Sequence, residues 1–243
     1  MKKNNKTKII QFEPLHDFVP TLMQPPKPST QCVPNWYKND TLFTTGNGDD
    51  FSLIKKGGIG TYKLCVPIVD SLTSGYTVTL SSAIMVENVS ESSYMPRISW
   101  AVHWKPLEHK GYEGLSNYPI PFGHCPDFFR WITYWGIRTP KGYSTLITHP
   151  HQRHDLPFTT IGGVVDTDKH PNALQFPFFL KEGFEGIIEE GTPIAQILPF
   201  KRDDWKSESV DFDPKYEHNE QSASKIDFIR TYKNRWWSKK TYI

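Results

Sequence analysis

Gly163-Val164-Val165-Asp166-Thr167-Asp168 and Gly191-Thr192-Pro193-Ile194-Ala195-Gln196-Ile197-Leu198 are the stretches that decide the fold. The first is a short β-branched run ending on two carboxylates. The second is a glycine turn followed by an apolar strand that carries one amide, Gln196. Upstream, Pro140-Lys141-Gly142 opens a strand over 143–148, and Thr73-Ser74-Gly75 precedes a run of β-formers over 76–84. Short β-prone runs punctuated by Gly and Pro read as strands joined by turns.

The same pattern continues on either side. Residues 98–104, 128–137, 159–165, 175–180 and 194–200 complete a series of strands, as in a β-barrel or sandwich, with no internal repeat. Residues 1–50 are irregular. Pro25-Pro26-Lys27-Pro28 and Pro34-Asn35-Trp36-Tyr37 read as stiff, extended segments unable to join a central strand. Asp49, Asp50 and the Gly57-Gly58 pair mark loops. Beyond 200 the chain turns polar, and 222–239 places Ile226, Ile229, Tyr232 and Trp236 at helical spacing beneath a basic surface. The expected organisation is therefore a Pro-rich arm over 1–58 and a β-barrel over 59–202 with an aromatic-rich insertion near 94–135. A polar linker and basic aromatic helix would follow over 203–243.

Composition narrows the function classes. Twenty Pro and 16 Gly disfavour long helices, and the 14% aromatic content, with 8 Trp, calls for a broad core, a large interface, or both. A formal charge of +2 gives no electrostatic case for nucleic acid. No stretch has the roughly 18 apolar residues needed to span a bilayer, and residues 1–8 lack the apolar run of a signal peptide. An intracellular protein of the host cytoplasm, with virion association open, is the expectation. Cys32, Cys65 and Cys125 form no CxxC pair, which disfavours a disulfide framework.

The four motifs, in their order along 70–200, resemble the dUTPase and dCTP deaminase superfamily, whose fold is a distorted β-barrel, the β-clip. The run from Ile54-Lys55-Lys56 through Cys65-Val66-Pro67 to Tyr76 is also similar to uncharacterised tailed-bacteriophage proteins. The resemblance implies nucleotide chemistry. Asp166 would activate water, Gln196 and the backbone near Gly163 would read the base, and Asp168 would line the site. Magnesium would lie near carboxylates and phosphate, and the protein would be a homo-oligomer. The departures are specific. Thr77 stands where the family carries a metal-holding Asp, and His149-Pro150-His151-Gln152-Arg153 stands where Arg-Ser would contact phosphate. Lys169 or His170 replaces a Tyr, and the Gly-rich tail is missing.

Several residues admit two readings. Asp166 and Asp168 suit either a general base or a turn held by side-chain bonds to backbone N–H groups. Gln196 suits a base edge or an internal hydrogen bond. His149, His151 and Arg153 suit phosphate contacts. Alternatively, with His154, Asp155 and His124, the histidines suggest a His/carboxylate metal site. Trp100, Trp104, Trp131 and Trp135 suit a protein interface or the core. Three functions follow: a nucleotide-binding protein that hydrolyses or deaminates its ligand, a non-catalytic virion or assembly protein on the same barrel, and a metal-dependent enzyme.

Overall fold

The computed structural model describes residues 7–44, 59–88, 96–111, 117–170, 173–215 and 232–243. Contacts divide the chain into two units, Met1–Cys32 with Gly75–Arg202, and Val33–Ser74 with Asp203–Ile243. No helix among the described residues is long and apolar enough to cross a membrane.

The first unit is β-rich. Its arm contributes β1 (Gln11–Pro14), the short helix α1 (Val19–Leu22) and β2 (Lys27–Pro28). There follow β3 (Tyr76–Thr79), β4 (Ile84–Glu87), β5 (Arg97–Trp100), β6 (Leu107–His109), β7 (His124–Arg138) and β8 (Tyr143–Thr148). β9 (Phe158–Thr160), β10 (Gly163–Val165), β11 (Ala173–Lys181), β12 (Gly186–Ile188) and β13 (Pro193–Lys201) complete it. The strands form three antiparallel sheets, ordered β1-β7-β11-β9 with β6 also on β7, β10-β8-β13-β3-β2, and β12-β4-β5. The expected mostly-β class is present, but the described strands do not close a barrel. Runs that read as single strands break and change sheets. Residues 76–84 break at Leu80, whose N–H bonds the Thr192 carbonyl and whose carbonyl takes the Gly191 N–H, at 2.8 and 2.9 Å. Residues 159–165 break at Ile161, whose N–H turns to Pro177.

Burial explains the aromatic content. Trp131 of β7 lies flat on Phe178 of β11, with ring centroids 3.6 Å apart at 6°, and Phe158 meets both edge-on. All three are sealed from solvent. The Trp131 indole donates to Thr160 Oγ1, which in turn donates to the Ile194 carbonyl, at 3.2 and 2.6 Å. Trp135 is buried with Val19 and Met23. Between Ile132 and Gly136, β7 carries a bulge opposite β11, and there Tyr134 adopts φ 56°, unusual for a large side chain. Trp131 and Trp135 thus serve the core; Trp100 and Trp104 are half-buried.

The arm runs along sheet edges, where proline does no harm. β1 pairs with 135–138 and Lys27–Pro28 with Tyr76 and Thr77. Gly75, at φ +71°, sits so close to β13 that a Cβ would lie 2.0 Å from the Ile197 carbonyl oxygen.

The second unit holds α2 (Asn35–Asn39) and α3 (Val66–Thr73). Pro34 is extended, as read, but Asn35, Trp36 and Tyr37, read as part of the same extended segment, instead form the first turn of α2. Trp36, Tyr37 and Tyr62 form a small ring cluster. Of the expected C-terminal helix, the described part is one π-helical turn, Tyr232–Trp236. Ile226 and Ile229 lie outside the described residues, as do Asp49, Asp50, Gly57 and Gly58. Trp237 anchors this end on α3, its indole donating to both Asp70 oxygens at 2.9 and 3.1 Å, with Lys240 on the same carboxylate.

Candidate functional site

The two carboxylates meet at an arginine the sequence reading passed over. β13 pairs with β8 so that Lys201 faces Tyr143. That register carries the next residue, Arg202, to the start of β8. β10 pairs with β8 so that Val165 faces Thr145, which brings the following turn to the same place. There the Arg202 guanidinium donates to both Asp168 oxygens, and Nη1 also reaches Asp166 Oδ1 (3.2 Å), Ser144 Oγ (2.9 Å) and the Tyr143 carbonyl (3.0 Å). Asp168 also accepts the Gly142 N–H at 2.8 Å, and Arg202 returns its own N–H to the Gly142 carbonyl. Thr167, between the carboxylates, points inward and is fully buried. Its hydroxyl lies 2.8 Å from those of Thr139 and Thr145. The Asp-Thr-Asp turn therefore holds the Pro140–Gly142 turn from both sides.

Electrostatics follow the bonds. Hydrogen bonds from Arg202 and the Gly142 amide hold Asp168 well below the ordinary carboxylate range. Asp166 is lowered chiefly by the Ser144 hydroxyl at 2.6 Å, then by the charges of Arg202 and Lys169. The Asp168 side chain is 4% exposed and that of Asp166 46%. Asp166 is thus an ionised, reachable carboxylate beside exposed Gly163 and Val164.

The remaining candidates lie elsewhere in the sheet and its loops. Gln196 is buried in β13, and its Oε1 accepts the His151 N–H at 2.9 Å, fixing the 149–156 loop. His149 pins the same loop: Nδ1 accepts the Thr160 N–H (3.2 Å), so Nε2 carries the proton donated to the Arg153 carbonyl (3.0 Å). Burial pushes its pKa down. Arg153 forks onto Asp155 through two bonds of 2.9 Å, and His124 bonds Thr159. His154 is exposed. Asp166 with Asp168 and Ser144, and His149 with Gln196 and Arg153, form two separate groups.

Neither group fits a metal. Among the described residues no three His, Cys, Asp or Glu side chains converge as a metal site. His149 has both ring nitrogens engaged, and the guanidinium against Asp166 and Asp168 repels a cation where magnesium would need oxygen ligands. Thr77, which the motif resemblance sets against a metal-holding Asp, is buried and shares a 2.9 Å hydrogen bond with Ser29 of the arm.

No model of a known protein family matches the chain, and no curated protein matches it. Solved structures do. The dUTPase of Staphylococcus bacteriophage 80alpha with dUpNHpp is 12% identical, with 86% of this chain and 91% of that one covered at a TM-score of 0.38. A point variant of it is 11% identical over 85% and 100%, at 0.37. The chain resembles phage dUTPases. A variant of the dUTPase from phage phi11 of S. aureus, a structure described as revealing coordination of a structural Mg(II) ion, is 10% identical over 84% and 97%, at 0.34.

The dUTPase-like motif order pointed to Asp166 and Asp168; Ser144 and Thr167 lie in the same stretches without a role assigned to them, and Arg202 lay outside. One signal was available: a close carboxylate pair at a turn calls for a cation, and Arg202 comes directly after the strand that holds Gln196.

Proposed function

We propose that this chain is a diverged dUTPase-like phage protein acting as a non-catalytic virion or assembly component, in which the groups of the ancestral site hold the fold together. The observation that carries this reading is the single guanidinium of Arg202 joining Asp166, Asp168 and Ser144. A general base works best with a pKa near the working pH; Asp166 is shifted the other way. The proposed base reader and phosphate holders are engaged as well: Gln196 with His151, His149 with Arg153 and Thr160, Arg153 with Asp155. Thr77 supports the same reading, since a neutral hydroxyl bonded to Ser29 replaces a metal-holding carboxylate.

One observation favours a second reading, a nucleotide-binding protein with hydrolysis or deamination: Asp166 remains about half exposed beside the exposed Gly163–Val164 edge. There Asp166 would orient water and the Gly163 backbone would meet the base. The experiment is purified protein with magnesium and each deoxynucleoside triphosphate, followed by chromatography. We expect no release of pyrophosphate or ammonia at high protein concentration. Release that Asp166→Asn abolishes in a folded protein would replace the assembly reading with the enzymatic one.

A further inference from the structure

Residues 203–215, which follow β13, are exposed throughout and carry almost no regular structure. They nevertheless hold three large apolar side chains, Trp205 (91% exposed), Val210 (84%) and Phe212 (72%). Solvated segments are normally poor in such residues, and Trp is the side chain that most often concentrates binding energy at an interface. Interspersed are five carboxylates, Asp203, Asp204, Glu208, Asp211 and Asp213, against two lysines, Lys206 and Lys215.

The other end of the same unit has the complementary character. Residues 232–243 carry Lys233, Arg235, Lys239 and Lys240 and no Asp or Glu, with Tyr232 and Trp236 exposed at 40% and 44%. This end is preorganised, because Trp237 and Lys240 are both fixed on Asp70 of α3. That arrangement uses Lys240 and leaves Lys233, Arg235 and Lys239 displayed on the exposed side. The acidic segment does not cover them: every residue from 204 to 213 is exposed.

We infer that the acidic aromatic segment 204–213 docks on the basic aromatic end 232–240 of a second copy of this chain. Opposite charges bring the two together and set their register, while Trp205 and Phe212 lose water against the displayed rings. The two patches differ, so the contact closes either by reciprocal exchange in a dimer or around a ring. The Arg202 node takes no part in it.

Sedimentation velocity of the full chain, from low micromolar to 100 µM or so, tests this. The wild-type chain self-associates in about 50 mM salt and dissociates at about 500 mM, as screening predicts. Trp205→Ala with Phe212→Ala weakens association at least about tenfold. Two charge reversals, Asp211→Lys/Asp213→Lys and Lys233→Glu/Arg235→Glu, each give monomers. Mixing those two variants restores association, because the reversed segment of each then faces an opposite charge only on the other. A wild-type chain that is monomeric throughout, reversals without effect, or a mixture that stays monomeric would each overturn the inference. Native circular dichroism of each variant confirms that none has simply unfolded.

Discussion

Replacing Gly75 by alanine is the most discriminating test of how the β8-β13-β3 sheet is closed. Two costs are separable. The first is conformational: φ +71° lies in the left-handed region, where an L side chain costs about 1–2 kcal/mol. The second is steric: the new Cβ would stand 2.0 Å from the Ile197 carbonyl oxygen, so β3 and β13 must separate by more than an ångström. That movement strains the pairing of Ile197 with Tyr76 and the bond from the Ser29 N–H to the Gly75 carbonyl. Losing one or two hydrogen bonds and some packing adds about 2–3 kcal/mol. The expected total is about 4 kcal/mol, or a fall in melting temperature of about 8–16 °C for a protein of this size. Gly191→Ala is the matched control: φ is +81° but nothing lies within 4 Å of the added carbon, so only the first cost applies. Differential scanning calorimetry of both variants reads the contrast. Equal losses would show that the close approach of Gly75 to β13 has no energetic weight, and the account of this sheet would fail.

Three further outcomes are expected. Asp166 and Asp168 titrate below the ordinary carboxylate value, so their contribution is complete above about pH 4 and disappears as pH falls through the folded-state values; Arg202→Ala should lower the melting temperature at pH 7 and flatten its decline in acid, and an unchanged acid slope would remove the node from the account of stability. His149 titrates below 6.5 because it is buried, so the unfolded chain binds its proton first and stability falls as pH drops below about 6.5; His149→Gln should be less stable at pH 7.5 yet lose less on going to pH 5.5, as measured by urea unfolding. Thr160→Val keeps the shape but removes an acceptor from the Trp131 indole and a donor from the Ile194 carbonyl; it should cost about 2–3 kcal/mol with an unchanged urea m-value, and a loss below about 0.5 kcal/mol would contradict the bond assignment.

Much of the strand pattern was legible because β-branched and aromatic runs alternate with Gly and Pro. β8 occupies the residues its sequence announces, and β11 and β13 differ by a residue or two at their ends. The breaks at Leu80 and Ile161 were not legible: the local residues favour strand on both sides, and the change of sheet is imposed by two distant carbonyls, that of Thr192 for Leu80 and that of Pro177 for Ile161. Helix α3 was missed although Pro67 sits in its first turn, a position proline favours. At the site, the sequence placed Asp166 and Asp168 at a strand end and left base and turn both open. It could not supply Arg202, because that partner arrives through the β8–β13 register, a tertiary fact. His149 reads equally well as a ligand or as a loop pin until Thr160 is seen to occupy Nδ1.

The position of β13 also has a consequence for how the chain acquires its structure. β13 lies between β8 and β3, two strands that are not paired with each other and that leave the ribosome long before it. Until residue 201 is available, the edges of both that face β13 are open, although β8 can pair with β10 and β3 with β2, and the Asp166–Asp168 turn lacks Arg202. Synthesis at about 5–20 residues per second leaves those edges exposed for several seconds. This β-rich unit therefore completes its folding after most of it has been made, its slow step being a non-local pairing. A nascent or truncated chain ending before β13 has the two sticky edges and none of the closure, so aggregation rather than a smaller stable domain is its fate.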